Sequence, residues 1–373
     1  MTPRSALVLF GLLSVTTRLP AQPESFAPLP RPVVLIGREG DANYEFNHVW
    51  AAVRFPDGLI GVADRSPTIR IYDTTGRFLR TLGRDGSGPG EFRNVTRMFL
   101  SGDTLIVYDF RQRRLTSYLA DGTLIGTQPV RFDAEERAGV IGRLSGGRWL
   151  VSMTMSMPNF AGPPGWYRDI DRIGWGGPAA TGSVQWADSG PGLTLFRYLP
   201  SDQKKWAVGV PPLAANAVPA ALGDSILFGD TKDADLRLVR LDGRLIRRIP
   251  LPVGPAVDLR SHRRAQTEQD VARERERGRD PAFEIAVGEA ATPTARYQSL
   301  EVSAAGRLWI RLWPTTPSGP ERYVVVSRTG SPLAWVTLPP KTRILSVQAP
   351  WILAVFANED DVETVGLIRW DEP

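Results

Sequence analysis

The chain contains no cysteine. That excludes disulfides, thiolate zinc sites and cysteine nucleophiles, and it excludes a lipid-modified cysteine behind a leader. Histidine is scarce, with only His48 and His262 in 373 residues. Beyond the first twenty residues no apolar run approaches the length of a membrane-spanning helix. A dominant charge is also lacking: 45 Lys and Arg against 40 Asp and Glu leave +5. Such a small, mostly arginine excess reads as a solvated surface rather than as a polyanion-binding face. What is abundant is turn-forming material. Gly 36 and Pro 32 suit many short strands joined by turns better than helices.

The N-terminus has the pattern of an export signal. Arg4 supplies the positive start, Ala6 to Val15 is an apolar stretch too short to span a bilayer, and Leu19-Pro20-Ala21 is an acceptable cleavage site. Residues 1–21 are therefore expected to be removed. The mature protein is expected in the periplasm or outside the cell, which sets nucleic acid aside as a partner.

One phrase occurs twice. Gly37-Arg38-Glu39-Gly40-Asp41-Ala42-Asn43-Tyr44-Glu45-Phe46 is echoed by Gly83-Arg84-Asp85-Gly86-Ser87-Gly88-Pro89-Gly90-Glu91-Phe92. A recurrence at about 45 residues, between strand-like segments, lies in the range of propeller blades. Between the copies run four short strands, Val49–Val53, Leu59–Ala63, Ile69–Tyr72 and Phe78–Leu82, with turns at Asp57-Gly58 and Thr75-Gly76. The second blade repeats the plan from Val95 to Thr127, and Asp64 and Asp109 take matching positions as turn caps. A third blade is interrupted by a Pro/Gly/Trp-rich insertion from Met157 to about Gly182, with Val184–Ala187 and Leu193–Tyr198 as its outer strands. The fourth runs from Ala217 to Ile249 and the fifth from Tyr297 to Leu338.

The sixth blade has three strands of its own, ending at Trp370. Val33-Val34-Leu35-Ile36 stands where the missing outer strand belongs, so the N-terminal strand should complete the last blade and close the ring. The expected fold is all-β: a six-bladed β-propeller over residues 32–373, with insertions at about 157–182 and 255–292. Seven blades remain open if the first insertion hides one. The second insertion holds a charged helix, Asp258 to Arg279, with a thin apolar stripe (Leu259, Ala265, Val271), no systematic i,i+4 charge pairing, and His262 exposed. It is expected to lie over one propeller face.

Gly-Pro-Gly-Glu-Phe, followed by a strand, an Asp-Gly turn and a strand ending in Ala-Asp, resembles the NHL repeat. Tyr297-Gln298-Ser299-Leu300-Glu301-Val302 with Gly306-Arg307-Leu308-Trp309-Ile310-Arg311, the arginine-rich helix and the tail from Ile344 to Val365 resemble a family of bacterial exported NHL-like six-bladed propellers. The resemblance covers roughly Pro32 to Trp370. It implies a binding platform in most members and an enzyme in a minority.

Gly83 to Gly90 lacks the Lys-Ser/Thr and following helix of a phosphate loop, and reads as an inter-blade connection. Propeller lyases hold metal with several channel histidines; His48 alone cannot make that site. Propeller lactonases use Glu, Asn and Asp on a divalent cation such as calcium, and Glu45, Asn47, Asn94, Asn216 and Glu301 lie near the starts of innermost strands. No pattern selects three of them, so no catalytic or metal residue is assigned. The channel candidates are His48, Arg97, Arg143, Glu301 and Arg343, an arginine-rich set suited to an anionic group. Trp166, Tyr167 and Trp175 are the aromatic candidates for partner binding on the irregular insertion. The expected function is a non-enzymatic binding or scaffold propeller with a protein or glycan partner, monomeric, without a membrane span; the alternative is a metal-dependent lactonase-like or lyase-like enzyme at the channel mouth.

Overall fold

The computed structural model describes residues 26–132, 138–154, 165–198, 207–209, 213–254, 259–289 and 295–373. The proposed signal and the start of the first insertion lie outside them.

Six antiparallel sheets are arranged in a ring. Blade one is Ala51–Arg54, Ile60–Ala63, Ile69–Tyr72 and Phe78–Leu82. Blade two is Val95–Ser101, Thr104–Asp109, Arg114–Leu119 and Leu124–Pro129. Blade four comprises Ala220–Leu222, Ser225–Gly229, Asp235–Arg240 and Leu245–Pro250. Blade five comprises Tyr297–Val302, Leu308–Leu312, Glu321–Val326 and Pro332–Leu338. The first strand of each blade lies innermost. That of blade one, for example, neighbours its counterparts in blades six and two.

Blade six closes the ring as the sequence predicts. Its own strands are Thr342–Gln348, Trp351–Ala357 and Glu363–Arg369. Val34–Ile36 then pairs antiparallel with the third, Val34 opposite Leu367 and Ile36 opposite Val365. A second N-terminal strand was not foreseen: Ala27–Pro28 adds in parallel to the outer edge of blade five.

Blade three differs from the sequence reading. Its third strand, Gly165–Gly176, lies inside the stretch read as an irregular insertion, and the two outer segments are one strand, Gln185–Tyr198. Glycines and Pro191 hide the alternation, and two register shifts absorb them. With Gly139–Arg143, Trp149–Thr154 and a short fifth strand Ala207–Gly209, these form a single five-stranded sheet, so no seventh blade is inserted among the described residues.

The core lies between blades rather than on an axis. Strand alternation sends side chains to both sides of each blade, and neighbouring blades cover both sides. Ile60–Ala63 is accordingly buried along its whole length. Six apolar clusters result, each drawn from two adjacent blades. The seam is one of them: Ile36 packs with Val49, Ile60, Leu353 and Val365.

The helical insertion between blades four and five is two helices, α1 (Arg260–Glu276) and α2 (Ala282–Glu289). α2 was missed, its few apolar residues following a helix-breaking Gly278. Charge pairing within α1 is sporadic, one i,i+4 pair (Arg264 with Glu268) and one i,i+3 pair (Asp270 with Arg273). One expectation for α1 is corrected. His262 is buried, not exposed, because its edge packs against Trp313.

Candidate binding site at the channel mouth

Because strands alternate in direction, each connection is assigned to a face by its place in the blade. First-to-second and third-to-fourth connections leave on one face. They are tight turns at Asp57-Gly58, Thr75-Gly76, Asp121-Gly122, Asp242-Gly243, Ala305-Gly306 and Thr329-Gly330. Gly58 at φ +95° shows why glycine is used there. The other face carries the blade-to-blade and second-to-third connections. Both copies of the repeated phrase, α1 and α2 all emerge on it.

The repeated phrases are self-contained connections. In the second, Glu91 accepts from the Gly88 amide at 2.7 Å, and Arg84 donates to the same carboxylate. Gln112 and Arg114 donate to its carbonyls, and Phe92 is buried beneath. Gly83, at φ +74°, has no room for a Cβ, which would stand 2.4 Å from the Phe92 ring. The amides of Gly86, Gly88, Glu91 and Phe92 are all bonded within the loop, which leaves none of them for phosphate. Tyr72 donates to Asn43 O at 2.6 Å in the first copy, and Tyr118 to Gly90 O at 2.8 Å in the second. Asp64 and Asp109 cap the chain as it enters the innermost strand, accepting from the amides of Asn47 at 2.9 Å and Arg93 at 2.6 Å.

The mouth of the channel on this long-loop face begins at His48. Its backbone has φ +58°, a region a side-chain-bearing residue adopts rarely. The ring stacks edge-on with Trp50, centroids 4.5 Å apart, and Nδ1 lies 3.8 Å from Glu363 Oε1. Burial lowers the imidazole pKa, with Arg343 and Arg65 adding to the effect and Glu363 opposing it. Between His48 and Trp50, Val49 is gripped from blade six. Its amide donates to Glu363, and its carbonyl accepts from Arg343 Nη2 at 2.7 Å.

Glu301 lies on the innermost strand of blade five, not near its start as expected but next to its last residue, toward the tight-turn end of the channel. Desolvation by the surrounding protein pushes its carboxyl up to about 7 against the pull of Arg97 and Arg343. Among the described residues Arg97 donates only to the neighbouring Thr96 carbonyl, at 2.8 Å.

The structure thus links four of the five channel candidates, His48, Arg97, Glu301 and Arg343, through short contacts or mutual charge effects. Arg143 stands apart. It ends its strand beside the Ser145–Gly147 turn, on the tight-turn side, with its guanidinium 5.5 Å over the Trp149 ring. The aromatic candidates do not lie on an irregular loop. Trp166, Tyr167 and Trp175 are on the third strand of blade three, opposite Phe196, Leu195 and Gln185. Trp175 Nε1 donates to Leu241 O at 3.0 Å, so its indole is tied to blade four.

The oxygen ligands weighed for a cation are occupied in part. Asn216 spends its amide on Thr194 N and Ala214 O, and Glu45 accepts from the Gly40 amide. Among the described residues no three His, Asp or Glu side chains cluster as metal ligands.

Sequence reasoning missed Trp50, 40% exposed beside His48, and Glu363. Trp50 was within reach as a large aromatic two residues from His48, just before the strand Ala51–Arg54. Glu363 was not, because only ring closure brings it to Val49, 314 residues away in the chain.

Comparison with known proteins agrees with the fold. The model of one protein family, DUF5128, described as a 6-bladed beta-propeller, matches residues 48–140. No curated protein matches the sequence. Among solved structures, a DUF4221-family member from Bacteroides vulgatus is similar at 10% identity and TM-score 0.50, over 92% of this chain and 98% of that one. A Bacteroides fragilis protein provisionally described as exported gives 9% and 0.45, over 93% and 99%. A catalytically inactive virginiamycin B lyase from Staphylococcus aureus, with quinupristin, gives 10% and 0.42, over 90% and 98%. At 10% identity the likeness to the DUF4221-family structure is one of fold.

Proposed function

We propose that the protein is an exported, NHL-like, non-enzymatic binding propeller that presents its long-loop face to a protein or glycan partner. The observation that carries this is the asymmetry of the two faces: one is made of tight turns, the other holds the long connections, the two helices and the His48–Trp50 pair. Recognition surfaces concentrate where a rigid scaffold supports variable loops. At the mouth, Trp50 offers an exposed aromatic and Arg97 a guanidinium with no carboxylate bonded to it among the described residues. Together they suit a partner carrying an anionic group beside an apolar one. The export signal proposed for residues 1–21 would bring the chain to partners of the cell envelope.

The test is capture of envelope proteins and glycans on the immobilised mature chain. The doubly substituted Trp50→Ala, Arg97→Gln chain should lose the captured partner, and a tight-turn-face control, Arg244→Ala, should keep it. Equal capture by both variants would sink the reading.

One observation favours the enzymatic alternative. A channel carboxyl raised to about 7 is the kind of group that proton-transfer chemistry uses. Metal content of the purified protein, with thermal melts in EDTA and after adding calcium, separates the two. A stoichiometric metal whose removal leaves the fold standing would call for lactone and lyase assays.

A further inference from the structure

Helix α1 turns an unusual stripe toward the propeller. His262, Ala265, Gln266 and Gln269 recur at the spacing of one helix face, where a docked helix ordinarily shows apolar residues. That face does not pack dry. It roofs a cleft of about 190 Å³ against blade five, whose other walls include Gln298, Trp313, Pro317 and Glu321.

We propose that this cleft binds a single neutral sugar residue. It is separate from the channel mouth and does not depend on that reading.

Size comes first. The cleft holds several waters' worth of space but falls below the ~300–1,000 Å³ of pockets for drug-sized ligands, so one ring fits. Charge comes next. Glu321 is the one carboxylate on the walls, and Arg311 already grips both its oxygens, at 3.0 and 2.9 Å. An anion gains no free cation here, and a cation would have to displace Arg311.

The remaining polar groups are carboxamides, and they are under-used. Gln269 stands exposed at the rim and makes no hydrogen bond among the described residues. Among the described residues Gln266 uses only its Nε2, on Asp270, and Gln298 only its Nε2, on Leu312 O. Both Oε1 atoms remain as acceptors. A carboxamide offering donor and acceptor side by side matches adjacent sugar hydroxyls. Proline and the buried indole supply apolar walls for the ring's C–H faces.

Three irregularities converge on the same place. Gln298 sits at a register shift in the innermost strand of blade five, and such bulges re-aim a side chain. Leu213, on the cleft wall, has φ +65°, rare for a bulky residue. His262 is buried, and its Nε2 has no hydrogen-bond partner among the described residues, a condition that native structures seldom leave unexplained.

The experiment is saturation-transfer NMR on the full mature chain with neutral methyl hexosides, a methyl N-acetylhexosaminide and a methyl uronate as the charged control. At least one neutral glycoside should bind with Kd near ~1 mM, and the uronate should not compete with it. Gln269→Ala should weaken binding about tenfold, and Ala265→Trp, which fills the cleft, should abolish it. Both variants should keep the wild-type melting profile, and Gln269→Ala remains informative if Ala265→Trp misfolds. Trp50→Ala should bind the glycoside as the wild type does, which separates this site from the mouth. The proposal is overturned by no transfer from any neutral glycoside, by binding that survives Gln269→Ala unchanged, or by a uronate that binds equally well.

Discussion

Arg343 Nη2 donates to the carbonyl of Val49 across 2.7 Å, joining the innermost strand of the last blade to the entry of the first. Glu363 accepts from the amide of the same residue. One peptide unit on each side of Val49 is thus held by a guanidinium and a carboxylate from the blade that closes the ring. Arg343→Met removes a charged donor from a part-buried carbonyl and should cost about 1–3 kcal/mol of stability, read as a lower urea midpoint at unchanged m-value.

The clasp strand gives a sharper comparison. Ile36 is buried at the seam while Leu35, one residue earlier, is 61% exposed. Ile36→Ala should destabilise by about 2–5 kcal/mol, whereas Leu35→Ala should stay within about 0.5 kcal/mol. Equal effects in chemical denaturation would mean that the strand is not registered as described.

The two phrase copies predict a matched pair. Tyr72→Phe and Tyr118→Phe each delete one hydroxyl that donates to a loop carbonyl. Each should cost about 0.5–1.5 kcal/mol. The double variant should show the sum, since the sites lie in different blades. Denaturation of the three variants checks this.

Glu301 predicts a pH dependence with a defined sign. Its carboxyl is raised from 4.5 to about 7 in the folded protein, so between those values the native state binds more protons than the unfolded one. Stability therefore falls as pH rises through this window and levels off above about 7. Glu301→Gln should raise the melting temperature more at pH 8 than at pH 5. A variant with the same pH profile as the wild type would refute the assignment.

Much of the ring was readable because strands and turns obey local rules. Asp57-Gly58, Asp121-Gly122 and Thr329-Gly330 each place a glycine in the left-handed region between alternating segments. Val34-Leu35-Ile36 could be assigned to the last blade because three strands there lacked a fourth. Blade three was not readable between Gly165 and Tyr198, where Gly174, Gly190, Pro191 and Gly192 interrupt the pattern that pairing restores. His262 misled for a related reason: among arginines and glutamates it looks solvated, and only the docked Trp313 buries it. At the mouth, His48 and Arg343 were named, but their relation through Val49 exists only once the chain ends meet.

That meeting also orders events in time. The clasp strand is made long before it can find its place, since Leu367, the partner of Val34, lies 333 residues further along the chain (367 − 34). Until then both open edges of the unfinished ring are pairing templates. A chain stopped within the sixth blade should therefore appear as aggregate or degradation product rather than as a shorter working protein. A holding chaperone, or transit in an unfolded state, would protect it during that interval.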